Sequence, residues 1–169
     1  SAMGATSVGL GDIEVGIKYR FLQETHERPM IGVFPMLEFS TGEASRGLGN
    51  SRTWYHLPLW IQKSWGPWTS YGGGGININH APGMQDSGFA GWLLQRQFGP
   101  HWILGGEFWE QGADAVDGRS YTLLNVGGYY NFTPNFQLLF TGGGSVAGEQ
   151  HTVAYLGLYW TWGPPGAQP

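Results

Sequence analysis

The chain contains no cysteine, which excludes disulfide bonds and thiolate metal sites. Charged residues are also scarce: they make up 12% of the 169 residues, about half of the roughly 25% typical of a soluble domain. Basic residues neither outnumber acidic ones nor cluster, so a nucleic-acid-binding surface is not expected. The longest run without charge, residues 120–148, is interrupted by asparagines, a proline and glycines, and therefore predicts no membrane-spanning helix.

Glycine and aromatic residues are abundant instead. Glycine occupies 30 positions and aromatic residues make up 15% of the chain, a content that excludes intrinsic disorder. The length predicts one domain over residues 1–169. We interpret Ser1-Ala2-Met3 as an expression remnant and residues 163–169 as a short C-terminal tail.

A turn flanked by aromatic residues recurs along the chain. An aromatic residue, a short proline-containing turn and a second aromatic residue follow one another, as in Trp65-Gly66-Pro67-Trp68, and the pattern returns roughly every 30 residues. Each repeat holds two alternating segments, which is one β-hairpin. The flanking aromatic residues are expected to form a girdle at a membrane interface. This aromatic girdle comprises Trp65, Trp68, Phe98, Trp102, Phe132, Phe136 and Trp162.

Alternation of polar and apolar residues with a period of two predicts an all-β chain. We expect a break or bulge at the level of Pro35 and Pro58, because proline cannot donate a hydrogen bond to the sheet. The nine predicted strands are residues 13–22, 31–39, 55–65, 68–78, 89–98, 102–111, 121–132, 136–141 and 153–162.

The connections differ between the two ends of these strands. Short proline turns lie at one end, and longer polar loops at the other. Strands of about ten residues connected in this way are typical of outer-membrane proteins. We therefore predict an antiparallel up-and-down transmembrane β-barrel of about 8–10 strands in the bacterial outer membrane, in contact with lipid or detergent. The predicted long loops are residues 41–52, 79–88, 112–119 and 144–151.

If the apolar faces of the strands point to lipid, the opposite faces line a lumen. The fifth strand is ambiguous, because Arg96 shares its face with Trp92 and Leu94. Lys63 falls on the apolar face near the girdle, where it is expected to extend to the headgroups. The predicted lumen and constriction residues are Glu14, Lys18, Arg20, Glu38, Glu107, Tyr121, Asn125, Tyr129, Gln137, Tyr155 and Tyr159.

The charges in this predicted lumen have two interpretations. In one, they form a salt-bridged plug that fixes the barrel, because unpaired charges in a narrow interior are costly. In the other, they form a constriction that selects small-molecule solutes by charge and size, while the tyrosines stack on aromatic solutes.

The segment Gly9–Phe21, with the sequence GLGDIEVGIKYRF, combines a leading Gly-Asp with a Lys-Tyr-Arg core, and Thr41-Gly42 follows the next predicted strand. Together with Leu57-Pro58-Leu59 and Trp65-Gly66-Pro67-Trp68, it resembles the bacterial outer-membrane family labelled "MetA-pathway of phenol degradation". Members of that family are usually longer, with further strands before the Gly-Asp segment. The resemblance implies an outer-membrane barrel that passes or senses small hydrophobic or aromatic compounds, with no catalytic residues.

Signals for enzymatic chemistry are missing. The histidines show no metal-ligand spacing, and no Ser-His-acid triad can be assembled, so we expect no enzyme activity, no metal and no cofactor. Two alternatives to a channel stay open: a soluble β-sandwich or barrel that binds carbohydrate or a small ligand, and a structural barrel with a plugged lumen. The destination of the apolar face, lipid or a packed core, distinguishes the membrane and soluble alternatives.

Overall fold

A computed structural model describes residues 8–162 of the chain, so the predicted remnant at 1–3 and tail at 163–169 lie outside the described residues. In this part, eleven strands form one antiparallel sheet, and the helical content is a single 3-10 turn at Ala44–Arg46. No helix in residues 8–162 has the length and apolar character needed to cross a membrane. The prediction of an all-β, up-and-down antiparallel chain is confirmed. The strands are β1 (Ile13–Gly16), β2 (Tyr19–Leu22), β3 (Met30–Val33), β4 (Met36–Phe39), β5 (Trp54–Trp65), β6 (Trp68–Ile78), β7 (Ser87–Phe98), β8 (Trp102–Gln111), β9 (Tyr121–Thr133), β10 (Phe136–Gly148) and β11 (Thr152–Trp160).

The predicted strand count was wrong, because the first two predicted strands are each broken in two. The first is divided into β1 and β2, and the second into β3 and β4. Pro35 lies in the second break, where its carbonyl accepts a 3.0 Å hydrogen bond from the Ile17 backbone N–H. On β5, residues 59–62 pair with β3 and residues 54–56 pair with β4, so Pro58 has no partner on that side. The interruption predicted at Pro35 and Pro58 is therefore confirmed.

From β5 onward, each strand pairs with the next; longer connections join β6 to β7 and β8 to β9, and short turns join the other pairs. Gly66 and Gly99 in the short turns have φ values of 54° and 64°, a left-handed conformation that favours glycine. At the other end, the predicted loop 144–151 was too long: β10 continues to Gly148, because residues 144, 145, 147 and 148 pair with β9 instead of leaving the sheet.

The sheet is not closed within the described residues. Its order runs from β1 through β4 and β5 to β11, and no pairing joins β11 to β1 or β2. Every residue of β1 is exposed, as are most residues of β11. The two ends of the sheet are therefore free edges.

The sheet curls so that one face surrounds an interior. Trp60 on β5 stacks with Trp109 on β8 at a ring-centroid distance of 6.3 Å, although three strand spacings in a flat sheet would separate them by about 14 Å. The outer face carries most large apolar side chains: Val126 is 71% exposed and Leu156 is 72% exposed. In residues 8–162 there is one sheet and no second layer that covers this face.

Two positively charged residues on the outer face have defined surroundings. Arg96 shares that face with Trp92 and Leu94, and its guanidinium carbon lies 5.3 Å from the Trp68 ring and 4.9 Å from the Phe98 ring. Lys63 was expected to extend away from the protein, but it folds back onto it. Its Nζ donates to backbone carbonyls of the turn between β2 and β3, among them that of His26 at 2.9 Å, and thereby fixes the turn.

The predicted girdle residues all lie at the proline-turn end of the sheet. Trp65 pairs with Trp68, Phe98 pairs with Trp102, and Trp162 follows β11 with 85% of its surface exposed. Tyr130 and Trp160 extend the girdle with ring contacts. The centroid distances are 4.8 Å for Trp102–Tyr130, 5.0 Å for Tyr130–Phe132, 5.2 Å for Phe132–Phe136 and 6.4 Å for Phe136–Trp160.

At the long-loop end, Asp12 joins the start of β1 to the connection that follows β4. Its two carboxylate oxygens accept hydrogen bonds from the backbone N–H groups of Gly42 and Asn50, and the Ile13 N–H donates to Thr41 Oγ1 at 2.9 Å. The hydrogen bonds from Gly42 and Asn50 lower the pKa of the Asp12 carboxyl from its usual value, because they stabilise the charged form. The Gly-Asp and Thr-Gly segments singled out in the sequence thus meet in space.

Asp12→Asn is expected to lower the denaturation midpoint at pH 7, because the amide has one acceptor oxygen for two N–H donors. Because the pKa of Asp12 is lower in the folded state than in the unfolded state, where it is near 4, its charge stabilises the fold at a pH above about 4. This contribution is lost as the pH falls through the folded-state pKa. The difference in denaturation midpoint between wild type and Asp12→Asn should therefore become smaller below about pH 4. Urea titrations followed by tryptophan fluorescence measure this, with Asp117→Asn in an exposed loop as control. Equal midpoints for the two variants at pH 7 would contradict the role of Asp12.

Candidate binding site

A row of glycines forms one wall of the interior. Paired residues across the sheet run from Arg20 on β2 through Gly32 to Trp60 on β5, and then through Gly73 and Gly91 to Trp109 on β8. Glycine has no side chain, so the larger residues in this glycine row can lean across it. A Cβ on Gly32 would lie 3.3 Å from Arg20 Cγ, and one on Gly91 would lie 2.6 Å from Trp109 Cε3.

The neighbouring row, one step closer to the proline turns, is mostly polar. It runs from Met30 through Gln62, Tyr71 and Leu93 to Glu107 on β8 and Asn125 on β9. Asn125 Nδ2 donates a 2.9 Å hydrogen bond to Glu107 Oε2, which holds the carboxylate against the wall. The glycine row and this polar row lie side by side on the interior face of the sheet.

A cavity of about 480 Å³ lies over the two rows. Its size falls in the range of roughly 300–1,000 Å³ that is common for small-molecule sites. The residues that give it chemical character are Lys18, Arg20, Trp60, Tyr71, Glu107 and Trp109. They combine two cations, one carboxylate and three aromatic side chains. We call this space the main cavity.

A second cavity, of about 180 Å³, continues from the first, and Tyr71 and Glu107 line both. Its other polar side chains include Gln95, Asn125 and Thr141. Tyr129 and Tyr155 also line it. Polar and aromatic side chains therefore line two adjacent cavities on the face opposite the exposed apolar residues.

The cations of the main cavity have few protein partners. Arg20 Nη1 contacts Met30 Sδ at 3.7 Å, and no hydrogen bond or ion pair of Lys18 is found among residues 8–162. Within the same residues, Glu14, Glu38 and Glu107 also form no ion pair. The ion pairs expected for a salt-bridged plug are therefore not formed between these side chains within residues 8–162.

The structure brings together six of the predicted lumen residues and separates the others. Lys18, Arg20, Glu107, Asn125, Tyr129 and Tyr155 line the two cavities. Glu38 instead accepts a hydrogen bond from Asn50 Nδ2 at 3.0 Å, and Glu14 is its partner in the β1–β4 pairing. Tyr121 contacts His151 at the long-loop end, with 4.2 Å between ring centroids. Gln137 pairs with Tyr159 toward the proline turns.

Several aromatic residues of the interior were not predicted. Trp60 and Trp109 stack on each other, and Phe89 stacks on Trp109 at 5.4 Å and on His56 at 4.4 Å. Alternation could have predicted Trp109, since it lies two residues after Glu107 and therefore on the same face of the strand. The prediction assigned the face of each strand with large apolar side chains to lipid and named only charged, amide and tyrosine side chains for the lumen, so it left these tryptophan and phenylalanine residues out.

The interior offers noncovalent recognition. Within residues 8–162, no group of three or more histidine and acidic side chains is arranged to hold a metal ion. The aromatic rings offer stacking surfaces, the cations attract anionic groups, and Glu107 accepts hydrogen bonds and repels anions.

No protein-family model and no curated protein matches the chain. The resemblance to the family labelled "MetA-pathway of phenol degradation" therefore stays a prediction.

Gly91→Val is expected to displace the Trp109 ring, because the added side chain occupies the space of that ring. Overpacking of this kind costs about 1–3 kcal/mol of folding free energy. Near-ultraviolet circular dichroism should show loss of the Trp60–Trp109 coupling, and urea titration should show the lower stability. Gly142→Val is the matched control, since nothing lies within 4 Å of a Cβ at that position. A normal tryptophan spectrum for Gly91→Val would contradict this account of the glycine row.

Proposed function

We propose that the chain forms an outer-membrane β-barrel that passes small hydrophobic or aromatic molecules through its interior. The observation that carries this proposal is the opposite polarity of the two faces of one sheet. Polar and charged side chains line the interior, whereas large apolar side chains such as Val126, Leu156 and Trp92 are more than half exposed on the outside.

The energetics of the outer face support a lipid environment. Apolar surface gains about 25 cal/mol for each Å² removed from water. Within residues 8–162, the buried hydrophobic side chains are Ala81, Phe89 and Leu123 alone. A soluble domain of this length would place its large apolar residues in a core. A bilayer would instead cover the outer face, with the girdle at the headgroup level.

In this proposal, the barrel closes either by parallel pairing of β1 with β11 or through one additional strand between them. β1 and β11 both run from the long-loop end toward the proline-turn end, so they are parallel to each other. One additional strand in the opposite direction would pair antiparallel with both free edges and would give an even number of strand positions. Closure would also satisfy the free backbone groups, which a bilayer cannot do.

The experiment that tests the proposal uses the full chain folded in detergent. A closed barrel should migrate as a compact band that shifts after boiling, and planar-bilayer recordings should show discrete conductance steps. A folded monomer in detergent-free buffer would overturn the membrane proposal and would favour the soluble ligand-binding alternative. A heat-shifting band without conductance or solute flux would favour a structural barrel.

Val126→Arg is expected to destabilise the protein folded in lipid vesicles by about 2–4 kcal/mol, because a charge on the lipid face near the midplane is costly. Gln95→Arg, which places the same charge in the smaller cavity, should cost much less. Urea titration of the vesicle-folded variants by tryptophan fluorescence measures both effects. Equal losses for the two variants would contradict the assignment of the outer face to lipid.

A further inference from the structure

We infer that the main cavity binds planar aromatic monocarboxylates, with the carboxylate at Lys18 and Arg20 and the ring against Trp60 and Trp109. The inference rests on the proposed function, whose solute class it makes specific. It depends on how three kinds of side chain are arranged along the two interior rows.

The cationic end of the site comes from β2 and the residue before it. Arg20 crosses Gly32 toward the interior, where its guanidinium contacts a methionine sulfur and no carboxylate among residues 8–162. Lys18 lines the same cavity without an ion-pair partner in those residues. Two cations that the protein does not neutralise favour an anionic ligand group. Arginine can hold a carboxylate through two parallel hydrogen bonds.

The aromatic part of the site is built along the glycine row. Trp60 and Trp109 stack with an angle of 29° between their planes, and Tyr71 lines the cavity beside them. On the row, the one residue between Arg20 and Trp60 is Gly32, and two paired steps across strands correspond to about 10 Å. A ligand with a single ring joined to a carboxylate fits this spacing, with its carboxylate at Arg20 and its ring at Trp60.

Glu107, at the β8 end of the two rows, limits the ligand to one negative charge. Glu107 lines the cavity from β8 and is held there by Asn125. A second carboxylate on the far side of the ring would meet Glu107 and be repelled, whereas a hydroxyl group could donate a hydrogen bond to it. The site should therefore prefer monocarboxylates to dicarboxylates.

The binding test uses the full chain folded in an uncharged detergent, with equilibrium dialysis of radiolabelled ligands. Benzoate is the probe, benzamide is its neutral analogue and terephthalate is its dianionic analogue. We expect benzoate to bind about tenfold more tightly than either analogue, the effect of one charge-assisted pair. Empty micelles give the background from partition into detergent.

Variants locate the site. Arg20→Gln and Lys18→Gln should each weaken benzoate binding about tenfold and leave benzamide binding unchanged, and Trp109→Leu should weaken both ligands. Arg96→Gln, which removes an arginine from the outer face, is the matched control and should change neither. The heat-shifted band verifies that each variant is folded. Equal affinities for benzoate and benzamide, or unchanged benzoate affinity in Arg20→Gln and Lys18→Gln, would overturn the inference.

Bilayer recordings separate this inference from the proposed channel. With a gradient of potassium benzoate, the reversal potential of wild type should indicate preferred benzoate passage, and Arg20→Gln should reduce that preference. Conductance without selective benzoate binding would overturn the inference and support the channel. Selective binding without conductance would support the site and overturn the channel.

Discussion

The single-layered sheet is the constraint on which the rest of the structure depends. Its hydrogen-bond ladder pairs the inner strands on both sides, but it leaves two large faces, and no second layer within residues 8–162 covers either of them. Because neighbouring side chains in a strand point to opposite faces, polarity can be divided between the faces residue by residue. The curl of the sheet then gives the faces different surroundings. One encloses small polar cavities, and the other turns its apolar side chains outward.

Glycine shapes the interior that this curl creates. A strand interior made of glycine is entropically costly, and the sheet contains such positions on adjacent strands at Gly73 and Gly91. These glycines leave space above the sheet. Trp60 on β5 and Trp109 on β8 contact each other in that space, although two strands lie between them. The same device at Gly32 lets the Arg20 side chain pass inward. Recognition groups therefore converge from distant strands without filling the cavity.

Alternation predicted the existence and order of the strands from β5 to β11, because each contains a long run with a period of two, although β10 continues to Gly148, beyond its predicted end at residue 141. It failed at the first two predicted strands, which are broken, although Pro35 marked where one break would fall. For the site, alternation placed Lys18, Arg20 and Glu107 on the interior face. It missed Trp60 and Trp109, because the size of a side chain does not say whether its face meets lipid or a cavity. It also could not give the distances between charges, which decide whether they neutralise one another.

The sequence by itself determined the all-β class, the proline-turn hairpins and the division of residues between two faces, since these follow from local backbone chemistry and a period of two. The tertiary structure alone decided which residues meet. Asp12 reaches Gly42 and Asn50, and Arg20 stands in one row with Trp60 and Trp109. Within residues 8–162, the cavity cations Lys18 and Arg20 form no ion pair. Contacts of this kind depend on the register between strands and on the curvature of the whole sheet. Both are cooperative properties of many pairings, and no single segment of the chain contains them.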